Sequence, residues 1–145
     1  MRSVFFFIIS MCMMLWAQKA EARDVLPGPI RAEVLQVIDG DTLDVRAQIW
    51  LGQYIQTRVR LSQIDTPELR GRCAAEIDRA QQAKNALTDI VKSRKIWLKN
   101  IHYGKYAGWV LAQLETDQGV EPVAFLIEKG LARPYDGKKR RSWCP

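Results

Sequence analysis

Histidine and cysteine are scarce in this chain. His102 is the only histidine, and cysteine occurs three times, at Cys12, Cys73 and Cys144. A lone histidine excludes a mechanism that needs two, one as acid and one as base. One histidine and two distant cysteines also cannot close a four-ligand zinc site. His102 therefore reads as a strand-end residue with no catalytic task. Internal repeats and low-complexity linkers are missing too, so 145 residues bound one domain with one core. Only one long apolar run exists, Val4 to Trp16, and it falls short of the ~20 residues a transmembrane helix needs.

That run has the build of a signal peptide. Arg2 gives a positive start, and Ala20-Glu21-Ala22 is a small-x-small site just before Arg23. We read residues 1–22 as a signal peptide and 23–145 as a single domain, exported to the periplasm or secreted, with no stable membrane association after cleavage. An uncleaved N-terminal anchor is the alternative. Cys12 lacks the small neighbours of a lipidation site and leaves with the leader. The remaining pair, Cys73 and Cys144, is an even count in an exported chain and points to a disulfide; two free thiols are the alternative. Loss of Arg2, Lys19 and Glu21 lowers the formal charge of +6 by only one. The domain stays basic, a weak pointer to polyanions.

Polar and apolar residues alternate with period two in three successive stretches. Arg31 to Ile38 predicts a strand with Ala32, Val34 and Gln36 on one face. Leu43, Val45, Ala47 and Ile49 predict a second strand, and Ile55, Thr57, Val59 and Leu61 a third, joined by turns at Asp39-Gly40 and Gly52-Gln53. From Ala74 to Lys92 the period changes. Ile77, Ala80, Ala83, Leu87, Ile90 and Val91 predict a helical stripe that leaves Glu76 outside it. Two further strands are expected at 95–101 and 109–114, and a helix between Pro122 and Gly130. The tail from Arg133 reads as basic and irregular. This order suits a mainly β, α+β domain: a five-stranded OB-type barrel with two or three helices.

Two short acidic clusters stand out: Asp39-Gly40-Asp41-Thr42, and Asp65-Thr66-Pro67-Glu68 with Arg60 five residues before Asp65. An Asp in a turn commonly bonds its own backbone, and Asp39 is expected to do only that. Pro67 holds Thr66 extended, which fixes the Asp65 and Glu68 carboxylates and the Thr66 carbonyl on one short turn. Two carboxylates and a carbonyl match what calcium accepts. A capping arrangement, with Asp65 or Thr66 capping a turn started by Pro67, fits the residues equally well. Arg60 can grip a phosphate with its planar fork, or be an ordinary exposed strand arginine.

These residues resemble the staphylococcal nuclease (thermonuclease-like) family. The likeness rests on Val37-Ile38-Asp39-Gly40-Asp41-Thr42, on Arg60-Leu61-Ser62-Gln63-Ile64-Asp65-Thr66-Pro67-Glu68, and on Gly130-Leu131-Ala132-Arg133. It runs over about residues 31–135. The resemblance implies an OB-fold, calcium-dependent phosphodiesterase acting on DNA and RNA. Asp41 and Asp65 would hold Ca2+ through carboxylates and Thr66 through its carbonyl. Glu68 would position or deprotonate the attacking water, and Arg60 would bind the phosphate and stabilise transition-state charge. Tyr135 lies where the family places a substrate-contacting tyrosine.

One departure matters. The family carries a second catalytic arginine in a Tyr-Gly-Arg segment just before a Leu-Ala strand. Anchoring on Leu111-Ala112 puts Trp109 in its place; anchoring on Tyr103-Gly104 puts Lys105 there. The first keeps the strand in register. Loss of one such donor costs roughly 100- to 1000-fold in rate, and Lys105 could replace it only as a point charge. Trp109 could instead stack on a base. The expected function is an exported calcium-dependent nuclease for DNA and RNA, preferring single strands and acting as a monomer. The alternatives are a catalytically impaired nucleic-acid-binding module, favoured by Trp109, and a protein-interaction barrel, disfavoured by the intact acidic motifs. Lys138-Lys139-Arg140-Arg141 reads as a solvated tail or as a phosphate-attracting arm.

Overall fold

The computed structural model describes residues 24–92, 95–104 and 108–145, so the leader at 1–22 and Lys105 lie outside the described residues. In chain order these carry β1 (Val25–Leu26), β2 (Ile30–Val37), β3 (Thr42–Trp50), β4 (Gln53–Leu61), β5 (Ile64–Asp65), α1 (Ala74–Val91), β6 (Lys95–Tyr103), β7 (Trp109–Thr116), α2 (Pro122–Glu128) and β8 (Arg133–Pro134). Strands β2, β3, β4, β7 and β6 are neighbours in that order, and β6 returns to β2. This is the closed five-stranded OB-type barrel that the alternation implied, with two helices among the described residues. Every pairing is antiparallel except β4 with β7. A parallel pair needs a long crossover, and α1 with β6 supplies it.

The β-period fills the barrel. Leu43, Val45 and Ala47 from β3, Val59 and Leu61 from β4, Ile96 and Leu98 from β6 and Ala112 and Leu114 from β7 are all buried. Leu87, Ile90 and Val91 of α1 and Leu126 of α2 join the same core. No helix among the described residues is long and apolar enough to cross a membrane.

The structure corrects three details of the sequence reading. A bulge between Val34 and Gln36 shifts the phase of β2, so Val37 turns inward and Gln36 outward. Ile49 and Ile55 are exposed, although they continue the inward face of their strands. The β3–β4 hairpin outruns the barrel, because β7 pairs only with residues 58–61 of β4. On α1 the stripe begins later than periodicity suggests: Ile77 is exposed and Glu76 is buried. The expected disulfide between Cys73 and Cys144 is present, with Cα atoms 6.0 Å apart, and it anchors the irregular tail.

Candidate active site

The two acidic clusters meet where β3 begins and β4 ends. Asp39 Oδ1 accepts the Asp41 N–H at 3.1 Å, the self-bonded turn expected of it. The Asp41 carbonyl accepts the Leu61 N–H at 2.7 Å and ties that turn to the end of β4. Beyond Ser62 the chain reverses through Gln63 at φ 68°, and β5 then delivers Asp65. Gly40 makes the junction possible. A Cβ there would lie 2.7 Å from Ala83 Cβ of α1 and 3.1 Å from Thr66 Cβ. Only a residue without a side chain lets the first turn lie against both α1 and the second turn.

Strand register brings the arginine in. Thr42 pairs with Arg60 across β3 and β4, and Arg60 Nη2 stands 2.7 Å from Asp41 Oδ2. Asp41 is 1% exposed. Its Oδ1 accepts the Thr42 hydroxyl at 2.9 Å. Its Oδ2 is buried without an aligned hydrogen bond, despite the nearby guanidinium; the arginine is a charge neighbour rather than a well-directed donor. Burial pushes the Asp41 carboxyl up to about 7; Arg60 opposes the shift and Asp39 adds to it.

Asp65 and Thr66 are also buried. The Trp143 indole N–H donates to Asp65 Oδ2 at 3.0 Å. Arg140 Nε donates to Asp65 Oδ1, and its Nη1 donates to Glu68 Oε1. Its Nη2 donates to the Thr66 carbonyl at 2.9 Å. Burial works against the Arg140 charge, but Glu68 and Asp65 outweigh it and hold the pKa above its ordinary value. Glu76 braces the loop that carries Glu68, accepting the Arg72 N–H at 2.9 Å and the Glu68 N–H at 3.4 Å. Gly71 leaves it room, since a Cβ there would fall 2.6 Å from Glu76 Cγ.

Asp41, Asp65 and the Thr66 carbonyl are all hard oxygen donors, and one of those oxygens is buried without a satisfying partner. That donor set suits a hard divalent cation. A soft-metal alternative, the close group of Cys73, Glu76 and Cys144, is excluded by the disulfide that consumes both thiols. Tyr135 shares with Asp65 a cleft of about 500 Å³, lined also by Gln63, Arg133, Lys139 and Arg141. Its backbone N–H donates to the Gln63 carbonyl at 2.9 Å and its hydroxyl to the Lys138 carbonyl. His102 Nδ1 lies 2.9 Å from the Asn100 carbonyl.

A family model described as Staphylococcal nuclease homologue matches residues 58–142. The chain belongs to the staphylococcal nuclease homologue family. No curated protein matches the sequence. Membership brings a nuclease-type activity on nucleic acid as the general expectation. Within this family's matched segment lie Arg60, Asp65, Thr66, Glu68, Trp109, Tyr135 and also Arg140; Asp41 precedes it and joins through the Gly40–Thr66 contact. Trp109 opens β7 opposite Arg58, and the Arg58 guanidinium sits 5.7 Å from its ring centroid. Leu111 is the residue opposite Arg60, so position 109 is one inward–outward repeat away from Arg60's partner.

Arg140, Trp143 and Glu76 escaped the sequence reading as members of the site. The signal for the first two was present in the cysteines. A Cys73–Cys144 bond brings the tail back to the Glu68 loop, and Arg140 is four residues from Cys144.

Two predictions follow from the Asp41 turn. Gly40→Ala wedges it away from Ala83 and Thr66, costing about 1–3 kcal/mol and weakening divalent-cation binding; urea unfolding and calorimetry measure both. In chelator, a folded-state pKa raised above the unfolded value of 3.8 means that the folded protein prefers neutral Asp41. Stability is then fully present below pH ~4 and declines as pH rises toward ~7, since the unfolded state releases the proton first. Asp41→Asn flattens this decline, which urea midpoints between pH 4 and 8 would show.

Proposed function

We propose that this chain is an exported, calcium-dependent nuclease that hydrolyses phosphodiester bonds of DNA and RNA as a monomer, with single strands preferred. The observation that carries the reading is the meeting of the two acidic turns at Gly40 and Thr66, with Arg60 at their junction. Asp41 and Asp65 would hold calcium through carboxylates and Thr66 through its carbonyl. Bound calcium supplies the charge that polarises the scissile phosphate.

The chain's own groups do the rest. Glu68 is half exposed, so water can reach it; it orients the attacking molecule and takes its proton on a carboxylate oxygen. Arg60 offers its fork to the phosphate and stabilises the charge that grows there. Tyr135, Lys139 and Arg141 line a cleft that leads to Asp65 and suits the flanking backbone. The apolar leader and the disulfide support an oxidising, extracytoplasmic location.

The test is cleavage of single-stranded DNA and of RNA by the purified protein with calcium and with chelator. Cleavage that chelator abolishes is the expected result, and cleavage that survives chelation overturns the calcium reading. The Arg58–Trp109 contact favours a second reading, a nucleic-acid-binding module that cleaves poorly. On that reading the unaltered protein binds without turnover and activity emerges in Trp109→Arg.

A further inference from the structure

Among the described residues, Arg140 is the one cation that engages several groups of the site at once. Its three donors reach Asp65, Glu68 and the Thr66 carbonyl. Arg60 is the charge neighbour of Asp41, its Nη2 2.7 Å from Oδ2. Asp41, Asp65 and Glu68 therefore each have an arginine neighbour, and neither arginine is directed at open solvent alone. The tail that carries Arg140 is held at several points. Trp143 donates to Asp65, the Arg133 guanidinium stacks 3.6 Å from the Trp143 ring centroid, and Arg133 Nη1 donates to the Ser142 carbonyl at 2.9 Å. The Cys144 disulfide fixes the far end. This is a built position, not a chance excursion of a charged arm.

The surroundings of Arg140 fit a polyanion. On one side is the cleft of about 500 Å³ that reaches Asp65 and Tyr135. On the other is a cleft of about 410 Å³ bordered by Glu68, Arg70, Arg72 and Arg140 itself. Lys139 and Arg141 border both. A phosphate bound over Glu68 would thus have Arg140 beside it and further basic groups on either side.

We propose that Arg140, delivered by the disulfide-anchored tail, is the second arginine of this active site. It is the counter-cation of Asp65, Thr66 and Glu68 in the ion-free protein and a phosphate ligand once a divalent cation has taken over those oxygens. The inference rests on the nuclease reading. Three carboxyl groups, on Asp41, Asp65 and Glu68, face the two guanidinium groups of Arg60 and Arg140. A divalent cation among those carboxylates removes the attraction that holds the guanidinium there, and Arg140 needs only side-chain rotation to turn its fork to a phosphate oxygen. It transfers no proton; it donates hydrogen bonds to charge that develops on the phosphate. A tryptophan at position 109 is then compatible with turnover.

The experiment compares the full oxidised protein with Arg140→Gln, Arg140→Lys and Arg79→Gln, the last as a control on an exposed arginine of α1 that borders neither cleft. Calorimetry reads calcium affinity, and steady-state cleavage of single-stranded DNA reads kcat. Arg140→Gln is expected to bind calcium about 10-fold more tightly, because a charge-assisted competitor is gone, while kcat falls roughly 100- to 1000-fold. Arg140→Lys keeps the charge, folds as the unaltered protein does, and recovers part of the rate. Arg79→Gln stays near the unaltered values. A rise in both affinity and kcat would make Arg140 an inhibitory plug and overturn the proposal, as would unchanged calcium affinity. If the unaltered protein does not cleave, the nuclease reading falls and this inference falls with it. If it cleaves and Arg140→Gln cleaves equally fast, only the inference falls.

Discussion

Glu68→Gln lowers the calcium-dependent cleavage rate by roughly 100- to 10,000-fold, the range that a positioned general base contributes. The substitution keeps the shape of the side chain and an oxygen that can accept the Arg140 hydrogen bond. It removes the proton acceptor. Glu68 lies on a loop braced by Glu76 through the Glu68 and Arg72 N–H groups, so the backbone around position 68 should hold its place. In the proposed function calcium rests on Asp41, Asp65 and Thr66, so its affinity should change far less than the rate. Single-turnover cleavage at saturating calcium, beside calorimetric calcium binding, measures the two separately. A variant that keeps its rate within about tenfold leaves Glu68 without the role of base.

Removing the disulfide is the largest stability change we expect. Cys73→Ser with Cys144→Ser frees a loop that the bond closes over a sequence separation of 71, and in the chain-entropy view that costs up to about 4 kcal/mol. The loss should show as a lower urea midpoint. Function should suffer as well, because the bond lies beside every tail contact in the site: Arg140 on Asp65, Thr66 and Glu68, and Trp143 on Asp65. Intrinsic tryptophan fluorescence reports the second of these, since Trp143 is 7% exposed in the folded protein. A double variant with an unchanged midpoint and an unchanged Trp143 signal would show that the other contacts of the tail suffice.

The acidic turns were legible because their geometry is local. Asp39 bonds Asp41 two residues on, and Pro67 constrains Thr66 next to it, so neither needs the rest of the fold. The barrel was legible because period-two alternation is a property of each strand alone. Where a strand stops being covered is not such a property. Ile49 and Ile55 continue the apolar pattern and are exposed, because the neighbouring strands end before the hairpin does. Glu76 reads as a solvent-facing helix residue, yet it is buried, because backbone N–H groups from a preceding loop converge on it.

The sequence by itself determined the class of this protein: a small OB-type barrel with two oxygen-rich turns and an arginine on the strand between them, a pattern shared with the staphylococcal nuclease homologues. Tertiary structure decided what surrounds those turns. Closing the barrel brought Gly40 against Thr66 and Arg60 against Asp41, and closing the disulfide brought Arg140 and Trp143 onto Asp65. Those partners are separated by 19 to 78 positions along the chain. Local propensity has no reach over such distances; only the packing of one core and one covalent cross-link could bring them together.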